Sequence, residues 1–253
     1  MAQYHEINFI APLHEPLQSD AYLAPDSGDW RVIVFHGTPG HPFLFTRFLR
    51  TAPPGVEVVV FSRPGFGKGH KNAITDFGEQ VAAIKPFLPG GDYGSKKIIT
   101  LGVSYGGALA LKAALDFPEA VKGVVTVAAL IDEPFDYALR LEELGGNPGI
   151  EPFIPNRWHK VREEIAGRRT QIGPLFSQLK DLTVPVEVLH GDFDALVPKS
   201  NAEKLMSYLG PNARLDIVPG GTHYLELQYP RRLHQAIGRI IECASERAEG
   251  TAI

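Results

Sequence analysis

Three residues of the types that together could perform nucleophilic acyl chemistry occur along this sequence in the order Ser104, Asp194, His223. Ser104 lies in Gly102-Val-Ser-Tyr-Gly106, followed by Gly107, and so matches G-x-S-x-G. A lone serine hydroxyl is a poor nucleophile at neutral pH; it needs a base, and the base needs an orienting acid. His223 stands in the Gly-rich stretch Gly220-Gly-Thr-His223, and Asp194 in Leu189-His-Gly-Asp-Phe-Asp194. Each follows an apolar run, and the order Ser, Asp, His is the one a nucleophile on a strand-to-helix turn of a parallel sheet requires. Asp192 competes with Asp194 for the acid role, and Asp132 is a lesser candidate, because an Asp after a strand often serves only a turn or a cap. His190 reads as a support of its loop, and most of the nine histidines read as surface or packing residues.

Attack on a carbonyl also needs N–H donors aimed at the developing oxyanion. The amide after the nucleophile belongs to Tyr105. The second donor is expected from His36-Gly-Thr-Pro-Gly40; Pro39 has no N–H, so Thr38 is the natural candidate.

The G-x-S-x-G string alone is unspecific in a chain with 26 glycines, so its context decides. An apolar run, Ile98 to Gly102, enters it, and an Ala/Leu-rich stretch, Ala108 to Leu115, leaves it. Similar runs lie at 32–35, 56–61, 98–103, 121–128, 184–189 and 215–218. Most are continuous rather than alternating, as strands covered on both faces are. Helical patterns fall between them, at 43–50, 75–88, 105–116, 199–209 and 230–246, with Thr75 or Asp76 as an N-cap. Strand and helix in alternation predict an α/β fold with a mostly parallel sheet. Segments 4–10 and 17–23 suggest an antiparallel hairpin at the start. The alternation breaks from 132 to 180, where two amphipathic helices, 134–144 and 157–168, flank a Gly/Pro-rich connection. The chain thus divides into a core, 1–131 and 181–253, and an inserted helical cap, 132–180.

Composition narrows the partners. Lys plus Arg number 25 against 29 Asp plus Glu, a net charge of -4 that offers no basic surplus for nucleic acid or anionic membrane. The one cysteine, Cys243, excludes an intrachain disulfide or a Cys-rich metal site and fits a reducing compartment. The N-terminus lacks the pattern of a signal peptide, and no run approaches a membrane span. A cytoplasmic protein with a small-molecule substrate is expected; a homo-oligomer is compatible with the sequence, which leaves the oligomeric state open. Gly65-Phe-Gly-Lys-Gly69 fails the spacing of both phosphate-binding glycine motifs, and no metal-ligand spacing occurs, so neither cofactor nor metal is expected.

Taken together, His36-Gly-Thr-Pro-Gly40, Arg63-Pro-Gly-Phe-Gly67, Gly102-Val-Ser-Tyr-Gly-Gly107 and the Asp194 and His223 loops resemble the α/β-hydrolase superfamily over nearly the whole chain. They are similar to the subgroup of proline iminopeptidases, meta-cleavage-product hydrolases and small esterases, in which the 132–180 position carries a helical cap. Members often read Asp-Arg-Pro-Gly-x-Gly-x-Ser; here Ser62 replaces that Asp and Lys68-Gly69 the Ser region, which implies altered loop packing. Serine at the elbow, rather than Asp, argues against dehalogenases and epoxide hydrolases. The resemblance implies a serine hydrolase acting on a carboxylic ester or similar acyl substrate. C–C bond hydrolysis or a lyase reaction on the same triad, and a ligand receptor without turnover, are the alternatives. Phe43, Phe135, Tyr137 and Trp158, with Phe45, Phe153 and Phe176, either line an apolar substrate pocket or pack the cap and first helix onto the body.

Overall fold

The computed structural model describes residues 3–131 and 155–250. Strands β1 (His5–Ala11), β2 (Leu17–Ala24), β3 (Trp30–Phe35), β4 (Val56–Phe61), β5 (Lys97–Val103), β6 (Val121–Val127), β7 (Val186–Gly191) and β8 (Ala213–Val218) form one sheet. Their order is β1-β2-β4-β3-β5-β6-β7-β8. The β1–β2 hairpin and the β2–β4 pairing are antiparallel, and every pairing from β4 through β8 is parallel. The expected α/β fold is thus observed, with the hairpin at one edge.

The continuous apolar runs have a simple cause. Ile33 and Phe35 of β3 enter one core, with Tyr105, Leu109 and Phe77, while Val32 and Val34 enter another, with Leu101, Ile237 and Ile240. Successive strand residues point to opposite faces, so a strand buried on both sides is apolar throughout. The helices are α1 (Thr46–Arg50), α2 (Phe77–Ala82), α3 (Gly106–Asp116), α4 (Asn156–Gln178), α5 (Ser200–Tyr208), α6 (Leu225–Gln228) and α7 (Pro230–Gly250). The segments expected as single helices at 43–50 and 75–88 are each split between an α-helix and a 3-10 turn, Pro42–Phe45 and Lys85–Phe87. Asp76, as expected, caps α2, accepting from the Glu79 amide at 2.8 Å. Helix α7 docks through Leu233, Ala236, Ile237 and Ile240, the spacing of one helical face. It lies so close to β6 that a Cβ on Gly123 would come within 2.2 Å of Ile240.

Helix α4 covers the carboxyl end of the sheet and extends past the 157–168 segment expected to be helical; the other expected helix, 134–144, lies outside the described residues. Helix α4 docks through both apolar residues, Val161, Ile165, Ile172, Leu175 and Phe176, and polar ones. Lys160, Glu164 and Arg168, spaced by four, are all buried on the face toward the body. The Lys160 ammonium donates to the carbonyls of Gly65 and His70 at 2.8 and 2.6 Å, and Arg168 donates to that of Leu130 at 3.2 Å. The replacement of Asp by Ser62 also finds its packing. Ser62 Oγ donates to Asp20 Oδ2 at 2.8 Å, so a carboxylate from β2 stands beside the loop instead.

Candidate active site

Ser104 opens the turn between β5 and α3 with φ of 55°, a left-handed conformation that side chains rarely adopt. The turn holds because its glycines admit contacts no other residue allows. A Cβ on Gly102 would lie 2.1 Å from the Gly106 carbonyl, and one on Gly106 would lie 2.1 Å from that of Phe35. The Ser104 carbonyl is secured by the amides of Gly107 and Leu130, both at 3.0 Å.

His223 and Asp194 meet across the ends of β7 and β8. His223 Nδ1 donates to Asp194 Oδ2 at 2.8 Å. Asp194 Oδ1 accepts from the amides of Leu196 and Val197 at 2.9 and 2.8 Å, so the buried carboxylate is held on three sides. The competing Asp192 instead accepts from the Gly220 amide at 2.7 Å, a turn role; Asp132 lies outside the described residues. His190 is buried and bonds through Nε2 to the Val197 carbonyl at 2.9 Å. Burial holds its pKa below the usual imidazole value, which leaves it a neutral loop support. Gln228 on α6 braces the His223 loop, its Oε1 accepting from the Thr222 amide and hydroxyl at 3.0 and 2.9 Å.

Ser104 and His223 line one cavity of about 310 Å³ with Gly37, Thr38, Leu44, Phe45, Trp158, Val161 and Glu226 among its walls. The loop after β3 passes directly over the serine, since a Cβ on Gly37 would lie 3.1 Å from Ser104 Cβ. The Tyr105 amide lies at the N-terminus of α3, where helical N–H groups have no intrahelical acceptor. The Tyr105 ring turns away from the cavity into the core.

A buried network holds that loop. Every N–H of the Arg63 guanidinium is used: Nε donates to the His36 carbonyl at 2.8 Å, Nη1 to Gln80 and Glu164 at 3.0 and 2.6 Å, and Nη2 to the Gly37 carbonyl and Glu164 at 3.2 and 3.1 Å. The guanidinium carbon lies 5.0 and 4.9 Å from the ring centres of Phe66 and Tyr105. His36 accepts the Arg63 amide at Nε2, at 3.1 Å, so its proton sits on Nδ1 and points to the Gly37 carbonyl. Burial, and then the Arg63 charge, keep His36 neutral by holding its pKa well below the usual value.

Of the expected substrate-wall residues, Trp158 lines the cavity and Phe135 and Tyr137 lie outside the described residues. Phe43 is corrected: it is 64% exposed and lines not that cavity but an adjoining depression, which shares Pro39, Gly40 and Leu44 with it and adds Tyr22, His41 and Arg157. Leu44 and Phe45 of the same 3-10 turn form the wall instead. Two features carry no local mark in the sequence. The Arg63–Glu164 pair joins residues too far apart in the chain for any local pattern. Glu226, three residues beyond His223, has no periodic or motif signal to mark it as a cavity residue.

Residues 31–148 match the family model for the alpha/beta hydrolase fold. The esterase EaEST from Exiguobacterium antarcticum superposes with a TM-score of 0.70 at 18% identity, covering 93% of this chain and 100% of that one. The chain belongs to the α/β-hydrolase superfamily. This hydrolase is 27% identical over 228 residues to a poly(3-hydroxyalkanoate) depolymerase from Ectopseudomonas oleovorans, covering 77% of this chain and 78% of the relative. It is 31% identical over 138 residues to a pimeloyl-(acyl-carrier protein) methyl ester esterase from Shewanella woodyi, covering 54% of this chain and 48% of that relative. Among its described residues, no helix is long and apolar enough to cross a membrane, and no group of three His, Cys, Asp or Glu could hold a metal ion.

Proposed function

We propose that this hydrolase cleaves a carboxylic ester or similar acyl substrate through an acyl-enzyme formed on Ser104. The observation that carries this reading is the 2.8 Å hydrogen bond from His223 Nδ1 to Asp194, made at the edge of the cavity that also holds Ser104. With Nδ1 donating to Asp194, the neutral ring carries its lone pair on Nε2, the form a general base requires. His223 takes the Ser104 proton as the hydroxyl attacks the carbonyl, and Asp194 stabilises the imidazolium so formed. The amides of Thr38 and Tyr105 receive the oxyanion. His223 then protonates the leaving alcohol, and a water activated by the same ring releases the acid. Neither a metal nor a cofactor enters these steps.

The mainly apolar wall, Leu44, Phe45, Val103, Trp158, Val161 and Leu196, suits the acyl chain of an ester. Depolymerase, esterase and proline iminopeptidase are activities named for its relatives, and an ester is the substrate class we carry over. We also assign residues 1–131 and 181–253 to the core and 132–180 to a cap whose described helix, α4, supplies Trp158 and Val161 to the wall.

The test is labelling with a fluorophosphonate and mapping of the modified residue by mass spectrometry. Phosphonylation at Ser104, absent in Ser104→Ala and His223→Ala, is the expected result. Ester turnover that persists in a folded Ser104→Ala protein would refute the assignment.

A further inference from the structure

The hydrolytic reading leaves one polar group of the cavity without work. Glu226 is only 3% exposed, lines the cavity with Ser104 and His223, and has no hydrogen-bond partner for its Oε2 among the described residues. A buried carboxyl oxygen left unpaired is costly, and native structures rarely retain one without a use. Glu226 is one wall residue of a cavity whose other walls include Leu44, Phe45, Val103, Trp158 and Val161. The hydroxyl of Thr38, on the same cavity, is also buried and unpartnered. The cavity thus combines a mainly apolar wall with two buried oxygens that no described residue satisfies.

We propose that Glu226 is a substrate-binding residue that selects acyl groups bearing a hydroxyl, whose O–H donates to the free Glu226 oxygen. This inference rests on the hydrolase reading of Ser104. A hydroxyl fits better than an ammonium for two reasons. A cation here would be stripped of water in an apolar cavity with a single carboxyl to receive it, a poorly compensated burial. It would also stand near His223 and oppose the imidazolium that forms during attack. A hydroxyl carries neither penalty. It donates to the ionised carboxylate, and exchanges donor and acceptor roles with the protonated form. Burial raises the Glu226 carboxyl to about 7, so both forms are present at neutral pH.

The experiment compares methyl butyrate with methyl 2-hydroxybutyrate, methyl 3-hydroxybutyrate and methyl 3-aminobutyrate in the intact protein, in Glu226→Leu and in Glu226→Gln. Ser104 labelling by fluorophosphonate is followed in parallel. The expected result is a kcat/KM about ten- to a hundredfold higher for one hydroxy ester than for methyl butyrate, the worth of one hydrogen bond to a charged group. That ratio collapses toward one in Glu226→Leu and is partly kept in Glu226→Gln, whose amide oxygen still accepts. A purely structural role for Glu226 would lower all four rates together and leave the ratio intact, which overturns the proposal. So would a preference for the amino ester, the absence of any hydroxyl preference, or a Ser104 that labels while none of the four esters is cleaved. Failure of labelling and of all turnover would instead bring down the hydrolase reading, and this inference with it.

Discussion

Asp194, in the turn after β7, and Glu226, in the short helix α6, are two buried carboxyls that share His223 as a neighbour. Asp194 is received by two backbone amides and the His223 ring, so each of its oxygens is occupied. Glu226 is almost as deeply buried, yet one of its oxygens meets no donor among the described residues, and burial raises its carboxyl to about 7. The ring of His223 and the residue's own backbone amide oppose that rise less strongly than burial drives it. On the proposed reading the same functional group does two kinds of work beside one imidazole. Where the chain supplies the donors, the carboxylate is fixed in place, as the proposed triad needs; where no described residue does, the proposed ligand would supply one.

The contrast can be broken from either side. The largest effect is expected from Asp194→Asn. An amide at this position can donate to Nδ1 and hold the ring in the wrong tautomer, so kcat on a methyl ester should fall by about 10⁴-fold with the fold retained. Circular dichroism and steady-state kinetics on one preparation check both halves; a loss of less than tenfold would remove Asp194 from the triad.

Glu164→Ala tests a third buried carboxylate, one held by an ion pair. It strips the counter-ion from a fully buried Arg63, and breaking such a pair costs about 3–5 kcal/mol. Urea unfolding should register the loss. Any surviving activity should show a lowered kcat, because Arg63 also holds the carbonyls of His36 and Gly37.

Glu226→Gln addresses the open carboxyl directly. The folded carboxyl titrates near 7, above the ordinary value of 4.5. Between those two pH values the folded protein keeps a proton that the unfolded chain releases, so this group stabilises the fold less and less as pH rises. The full penalty, about 3 kcal/mol, is present above pH ~7 and absent below pH ~4.5. Relative to the native protein, Glu226→Gln should therefore gain stability across that interval and show no further gain beyond it. Unfolding curves collected at pH 5 and pH 8 would show this; an equal difference at the two values would contradict it.

Asp76 sets the lower end of the series. It is exposed and only caps α2, so Asp76→Ala should cost about 1 kcal/mol and leave the Ser104 labelling rate as it was. Thermal melts and labelling kinetics read the two quantities separately.

Much of this molecule is legible along the chain, wherever the signal is local. The doubly buried strands announce themselves as unbroken runs such as Val56–Phe61, because both faces of β4 are covered. The elbow around Ser104 is readable from Gly102 and Gly106, since the close approaches there admit no side chain. Strand ends and chain order point to Asp194 and His223, since a parallel sheet places every strand's carboxyl end on one edge. What the residues alone leave open is decided by direction. Asp192 competes with Asp194 along the chain, and the path of the turn sends one to Gly220 and the other to His223. Phe43 and Phe45 likewise share one turn, and the fold puts only Phe45 in the cavity wall. Arg63 and Glu164 meet only because α4 folds back over the loop after β4. Sequence determines element type and chain order through local periodicity and steric permission. Which side chains share a cavity, and which buried carboxyl is left without a donor, depends on long-range packing that only the tertiary structure decides.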